Sequence, residues 1–293
     1  MKKNLLTIFL MMFIVTSFAQ TKTETEKTLK RKVAIGRFSN ETQYGQGLFY
    51  DRGNDPMGKQ ALDILSAKLA ASEKFILLER DGLEELIQES GNEMQKIGAD
   101  YIILGSITKF GRKTEGDRGF MTESKTQTVE AGVSVRLVEV STGLIIYSDE
   151  AFGFAETTSK KTLGYGGSAG YDATLSDEAI SAALSQLVEN IINKCMDKPW
   201  KAYLLSIEDG NYIMSGGKSQ GIEEGSTFIL YKKGKSVTNP QTGMQVELPG
   251  TKLGTLVVLS TYGDTPETEI SFCSYEGEQL SENELSNYYI LEK

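Results

Sequence analysis

The stretch Val133–Ser148, VSVRLVEVSTGLIIYS, decides how the first two thirds of this 293-residue chain are read. Val133–Val140 and Leu144–Ser148 flank Ser141-Thr142-Gly143, a turn whose glycine accepts a positive φ, and together they predict a β-hairpin. Upstream, Ala99–Ile107 (ADYIILGSI), Phe75–Leu78 (FILL) and Lys32–Phe38 (KVAIGRF) predict further strands. Helix signals lie between them. Asp55-Pro56 sets an N-cap carboxylate before a proline at the first helical position, and Ala61, Leu62, Leu65 and Leu69 carry an apolar stripe towards Ala71. Asp81 with Glu84 gives a capping pattern for a short helix bearing Leu83, Leu86 and Ile87. This alternation of strands and helices argues for an α/β layer.

Downstream, Ser176 is expected to cap a long helix in which Ile180, Ala183, Leu184, Leu187, Val188, Ile191 and Cys195 share one face. Pro199-Trp200 ends it. Beyond lie short β-type segments: Tyr203–Glu208, Tyr212–Met214, Thr227–Lys232, Leu253–Ser260, Glu269–Ser274 and Tyr288–Leu291. The turn clusters between them predict a separate small barrel-like β domain over 199–293.

The N-terminus reads as a secretory signal over 1–19. Lys2 and Lys3 form its basic end, Leu5–Phe18 its apolar stretch, and Ser17 and Ala19 the small residues before cleavage, so an exported chain starting at Gln20 is expected. The apolar stretch falls short of the roughly 20 residues a spanning helix needs. No Cys follows the cleavage point, so lipid attachment is not expected there. Residues 20–30, QTKTETEKTLK, are polar, lack a core period and read as a disordered lead-in. The α/β domain then occupies 31–198, which makes the class α+β overall.

Composition closes several doors. The chain has no His, which excludes Ser-His-Asp and Cys-His nucleophile systems and His-ligated metal; two Cys cannot build a zinc ribbon or an iron–sulfur site. Its net charge of −9 has the wrong sign for a nucleic-acid partner. Loss of Lys2 and Lys3 with the signal takes −9 to −11, of which residues 199–293 carry −6. Gly164–Ala169 (GYGGSA) nominally fits a dinucleotide fingerprint, but it stands too far from Ser176 and outside any βαβ unit, and reads as a loop tip. The acidic pairs Glu84-Glu85 and Glu223-Glu224 read as solvated surface. Cys195 and Cys273 belong to different expected domains, which favours two buried thiols over a disulfide. No constellation supports an enzyme, and no cofactor or metal is expected.

Phe75–Leu86 (FILLERDGLEEL), Gly98–Ile107 (GADYIILGSI) and Val133–Ser148, in this order and spacing, resemble the CsgG family of curli production assembly/transport components. The resemblance covers roughly residues 31–198. It implies a homo-oligomeric ring of periplasmic α/β domains in which each subunit lends two β-hairpins to an outer-membrane barrel, here about 106–140 and 144–175. It also implies a conduit-narrowing loop after the first strand, here 39–54, with Tyr44, Phe49, Tyr50 and Asn54 as candidate pore or partner residues. The implied function is secretion or assembly of curli-like extracellular fibres. The pore-forming members' N-terminal lipoprotein Cys has no counterpart here.

In Phe120–Gly132 (FMTESKTQTVEAG) one face would show Met121, Glu123, Lys125 and Gln127, the other Thr122, Ser124, Thr126 and Thr128, and neither suits hydrocarbon. A soluble periplasmic adaptor on the same fold, binding an envelope enzyme as the related penicillin-binding-protein activators do, therefore stays open beside the channel. Gly216–Tyr231 (GGKSQGIEEGSTFILY) and Asn239–Gly243 (NPQTG) resemble the small SH3-like β-barrel at the end of flagellar assembly protein T, which implies a scaffold or binding module.

Overall fold

The computed structural model describes residues 28–44, 55–78, 80, 98–118, 122–162, 165–166, 174–241, 243 and 245–293. The signal segment, the short helix expected around Leu83, Leu86 and Ile87, and most of the glycine-rich 164–169 stretch lie outside them.

The described chain is mostly β and forms two lobes, each with its own core. The first lobe is a six-stranded sheet in the order β2-β1-β3-β4-β5-β6, with β1 Arg31–Asn40, β2 Phe75–Leu78, β3 Tyr101–Arg118, β4 Thr122–Glu139, β5 Ile145–Thr162 and β6 Tyr165–Gly166. β1 pairs in parallel with β2 and β3, and β3, β4 and β5 continue as an antiparallel meander. Two helices, α1 (Pro56–Ala71) and α2 (Thr174–Met196), pack on one face.

Local chemistry explains these elements. Asp55 caps α1 by accepting from the Gly58 N–H at 2.8 Å, and Ala61, Leu65 and Leu69 are its buried stripe. Gly143 takes φ +70° in the β4–β5 turn. α2 begins two residues before the expected cap at Ser176, because Leu175 joins the stripe and is only 2% exposed. Ile180, Ala183, Leu184, Leu187, Ile191 and Cys195 fill the same core as Val129, Val133, Val135 and Leu137 of β4. Each large side chain so buried contributes about 1.5–3 kcal/mol.

β3, β4 and β5 are 18 residues each, so each is about 60 Å long. The sequence reading gave them as two hairpins ending at 140 and 175. The first is the β3–β4 pair; the second is not a separate hairpin, because β5 adds to β4 as the third strand of one meander, α2 already occupies 174–175, and within 163–173 only Tyr165–Gly166 is described as a strand, paired with Lys161 and Thr162.

The second lobe orders its strands β7-β15-β10-β13-β14-β9-β8: β7 Lys201–Ala202, β8 Leu204–Glu208, β9 Asn211–Ser215, β10 Thr227–Lys232, β13 Thr251–Tyr262, β14 Ile270–Gly277 and β15 Tyr288–Glu292. A separate exposed hairpin joins β11 (Ser236–Thr238) to β12 (Gln245–Glu247). β7 and β8 are one run broken only at Tyr203, whose backbone is bonded on both sides to Ser215, so the two ends of the sheet meet and it closes on itself. Its interior holds Trp200, Met214, Phe228, Leu230, Leu256, Val258, Cys273 and Ile290.

The lead-in expected to be disordered through residue 30 ends sooner. Leu29 is buried in the second core and the Lys30 N–H donates to the Gln220 carbonyl at 2.9 Å. One leucine among polar residues fills an apolar site that composition averaged away. Cys195 and Cys273 are free and buried, one in each core.

Candidate functional site

β1 stops pairing with β3 at Asn40, opposite Ile107, and the loop expected to carry Tyr44, Phe49, Tyr50 and Asn54 leaves the sheet there. Asn40 is 3% exposed, and its amide donates to the Tyr44 carbonyl at 2.8 Å while its Oδ1 accepts from Thr42. Asp55, where the chain returns, uses Oδ2 to accept from the Asn40 N–H at 2.6 Å and Oδ1 to cap α1. Both ends of the loop are therefore tied to one point. The Tyr44 ring packs on Phe110 of β3 with centroids 4.5 Å apart, just past the end of β1. Phe49, Tyr50 and Asn54 lie outside the described residues. Asn40, Asp55 and Phe110 fix Tyr44 in place, and sequence reasoning gave Asp55 only its capping role; a buried asparagine leaves no periodic signal.

From this level the meander runs on past its helical cover. On the face that α2 covers nearer the root, the register continues through Thr114, Gln127 and Thr157, then Gly116, Lys125 and Ser159. The opposite face carries Lys109, Gly132 and Phe152, then Gly111, Glu130 and Phe154, then Lys113, Thr128 and Glu156, then Glu115, Thr126 and Thr158. Lys109 pairs with Glu130 at 2.7 Å, and the hydroxyls of Thr126 and Thr158 are 3.0 Å apart. Phe152 and Phe154 are exposed on this face, and the Phe152 ring covers Gly132. Both faces of the protruding half are thus predominantly polar.

Two strand edges also stand open among the described residues. β3 has no partner on its β1 side beyond Ile107, and β5 is paired on its outer side only at Lys161 and Thr162.

A second concavity, about 660 Å³, lies where the lobes meet. Lys32, Asp100, Glu139, Lys198, Lys201 and Glu267 line it, so its charges balance. Lys198 and Thr142 hydrogen-bond the Glu139 carboxylate and hold its pKa below the ordinary value, whereas burial pushes Glu267 up. Lys201 sits over the Tyr289 ring at 4.8 Å and the Tyr203 ring at 5.5 Å. Among the described residues no group of three or more metal-ligating side chains converges. Glu223 and Glu224 are exposed, and Glu84 and Glu85 lie outside the described residues. No described helix is long and apolar enough to cross a membrane.

Comparison with known proteins places these features in a family. Residues 15–226 match the model of the curli production assembly/transport component CsgG. NMB1126/NMB1164 of Neisseria meningitidis serogroup B, which carries a lipoprotein name, is 32% identical over 179 residues, spanning 59% of this chain and 80% of its own length. Among solved structures, the PelC dodecamer from Paraburkholderia phytofirmans is 16% identical over 54% of this chain and 86% of its own, with a TM-score of 0.28. Lipoprotein GNA1162 from Neisseria meningitidis is 14% identical over 57% of this chain and 99% of its own, with a TM-score of 0.26.

Proposed function

Because the chain belongs to the CsgG family, we propose that it is an exported, envelope-associated assembly component, built as a homo-oligomeric ring and serving secretion or assembly of curli-like fibres, whose long strands stay in water. One observation carries the last clause: the protruding half of β3–β5 is polar on both faces. A strand crossing a bilayer needs about 9–11 residues with one face apolar, and each Lys at the midplane would cost about 2–4 kcal/mol, repeated in every subunit. Lys113 and Glu156 stand on one face and Lys125 on the other, so neither can face lipid cheaply. The edges of β3 beyond Ile107 and of β5, without a strand partner there among the described residues apart from β6 at Lys161 and Thr162, support the ring, since each can offer backbone groups to a neighbouring copy. Tyr44 contacts substrate or partner in this reading, no catalytic step is assigned, and the closed second lobe serves as an SH3-like binding module of the flagellar assembly protein T kind.

The polar strands equally favour a second reading, a soluble periplasmic adaptor that binds an envelope enzyme. Expressing the full chain, washing membranes with carbonate and sizing the released or detergent-extracted species by light scattering separates these. The proposal expects a large oligomer released by carbonate. A carbonate-resistant outer-membrane oligomer would overturn it in favour of an inserted channel, and a released monomer in favour of the adaptor.

A further inference from the structure

The outer wall of the second lobe carries an apolar patch four strands wide. Tyr262 pairs with Ile270, Ser260 with Phe272, and Phe272 with Ile213; Leu259 and Leu205 occupy irregularities in β13 and β8 beside them. Their neighbours Met214, Leu256, Val258 and Cys273 point into the barrel, so these side chains point out. Leu205 is 48% exposed, Leu259 46% and Tyr262 59%. Ile213, though buried, is not part of the interior core, so it is its outward neighbours that cover it.

The strands that build this patch carry charge of a single sign. Residues 202–217 and 253–277, which build β8, β9, β14 and most of β13, contain Glu208, Asp209, Asp264, Glu267, Glu269 and Glu276 but no Lys or Arg. All the basic residues of the lobe fall elsewhere, at Lys201, Lys218, Lys232, Lys233, Lys235, Lys252 and Lys293. Glu208, Asp209, Asp264 and Glu276 are exposed around the apolar side chains. Such a face repels an anionic lipid surface and also repels a second copy, whose identical face is acidic on a chain of net charge −9. It complements an apolar surface ringed by cations.

We propose that this face, centred on Leu259, Phe272 and Tyr262, docks a basic amphipathic polypeptide segment, its apolar side chains on the patch and its Lys or Arg on the acidic rim. The inference is independent of whether the first lobe forms a ring.

The test uses the full chain and two labelled synthetic peptides with the same leucine face, one flanked by lysines and one by glutamates, followed by fluorescence anisotropy at low and high salt. The lysine peptide should bind, weaken with salt, and lose about tenfold in affinity with Leu259→Glu and with Tyr262→Ser. Both positions are exposed, so circular dichroism should report unchanged folding. The glutamate variant is decisive because it adds an acid: attraction by net charge alone predicts tighter binding, which would overturn the proposal. Absence of lysine-peptide binding, or equal binding of the glutamate peptide, would also overturn it. So would binding to phosphatidylglycerol vesicles or self-association that Tyr262→Ser abolishes, each assigning the face to another occupant.

Discussion

Nη2 of Arg31 lies 2.8 Å from Oε1 of Glu292, so the first residue of β1 is tied to the last residue of β15. The guanidinium is 4% exposed and also donates to the carbonyls of Leu29 and Lys198, while the same Glu292 oxygen accepts from the Trp200 N–H. Removing either partner strands the other's charge at the junction. Glu292→Gln should cost about 2–3 kcal/mol in urea unfolding, below the 3–5 of a fully buried pair because Glu292 is partly exposed, and should separate the transitions of the two lobes. A single transition with an unchanged midpoint would refute the clasp.

The Glu139–Lys198 pair gives an acid dependence of known sign. The carboxyl's pKa is lowered from its ordinary value of 4.5, first by the hydrogen bond from Lys198. The native state therefore binds fewer protons there than the unfolded chain, so the pair's contribution is present above pH 4.5 and is lost as pH falls through the depressed value. Denaturation midpoints across the acid range should fall more steeply in the natural protein than in Glu139→Gln. Parallel curves would assign the acid sensitivity to other groups.

Burial pushes the thiols of Cys195 and Cys273 up to about 12, so neither supplies thiolate at neutral pH. A chromogenic disulfide reagent should find no rapidly reacting thiol in the native chain and both in denaturant without reductant. Fast native labelling of one would show that its core opens.

At Gly153 of β5 the backbone of α2 lies hard against the sheet, and a β-carbon there would collide with the carbonyl oxygen of Ala179 and the amide nitrogen of Ala183. Gly153→Ala should destabilise the first lobe by about 2 kcal/mol. Gly111→Ala, facing open space in the same meander, is the control, and thermal unfolding of both decides the matter.

The Asp55 carboxylate accepts from both the Gly58 and the Asn40 N–H groups. Asp55→Ala should cost about 2 kcal/mol and raise hydrogen exchange at Asn40 and Gly58 together. Faster exchange at Gly58 alone would leave Asp55 a helix cap and nothing more.

Elements with strong periodicity or chemistry are legible in the sequence. Asp55-Pro56 starts its helix, Gly143 takes its positive φ, and the Ile180–Cys195 stripe is buried as one face. The length of β3–β5 is not legible from periodicity, because residues such as Lys113, Thr126 and Ser159 are polar on both faces and a period of two has nothing to mark; only the family resemblance points to a hairpin over about 106–140. The Arg31–Glu292 clasp spans 261 positions and the Asn40–Asp55 tie depends on a tertiary bend, so neither has a local signature. Leu29 escaped for the opposite reason, a lone apolar residue judged by its neighbours.

The meander's uneven support has a mechanical consequence. The strands are gripped by α1 and α2 as far as Val129 and Ala155, opposite Arg112, and from Lys113 to Arg118 run on for about 20 Å more. A tilt of roughly ten degrees at the gripped end would sweep the far strand ends through about 3.5 Å, an amplification set only by strand rise and length. Whatever presses on the root beside Gly153 is thus read out as displacement far away, and the three strands act as a pointer hinged at the helix.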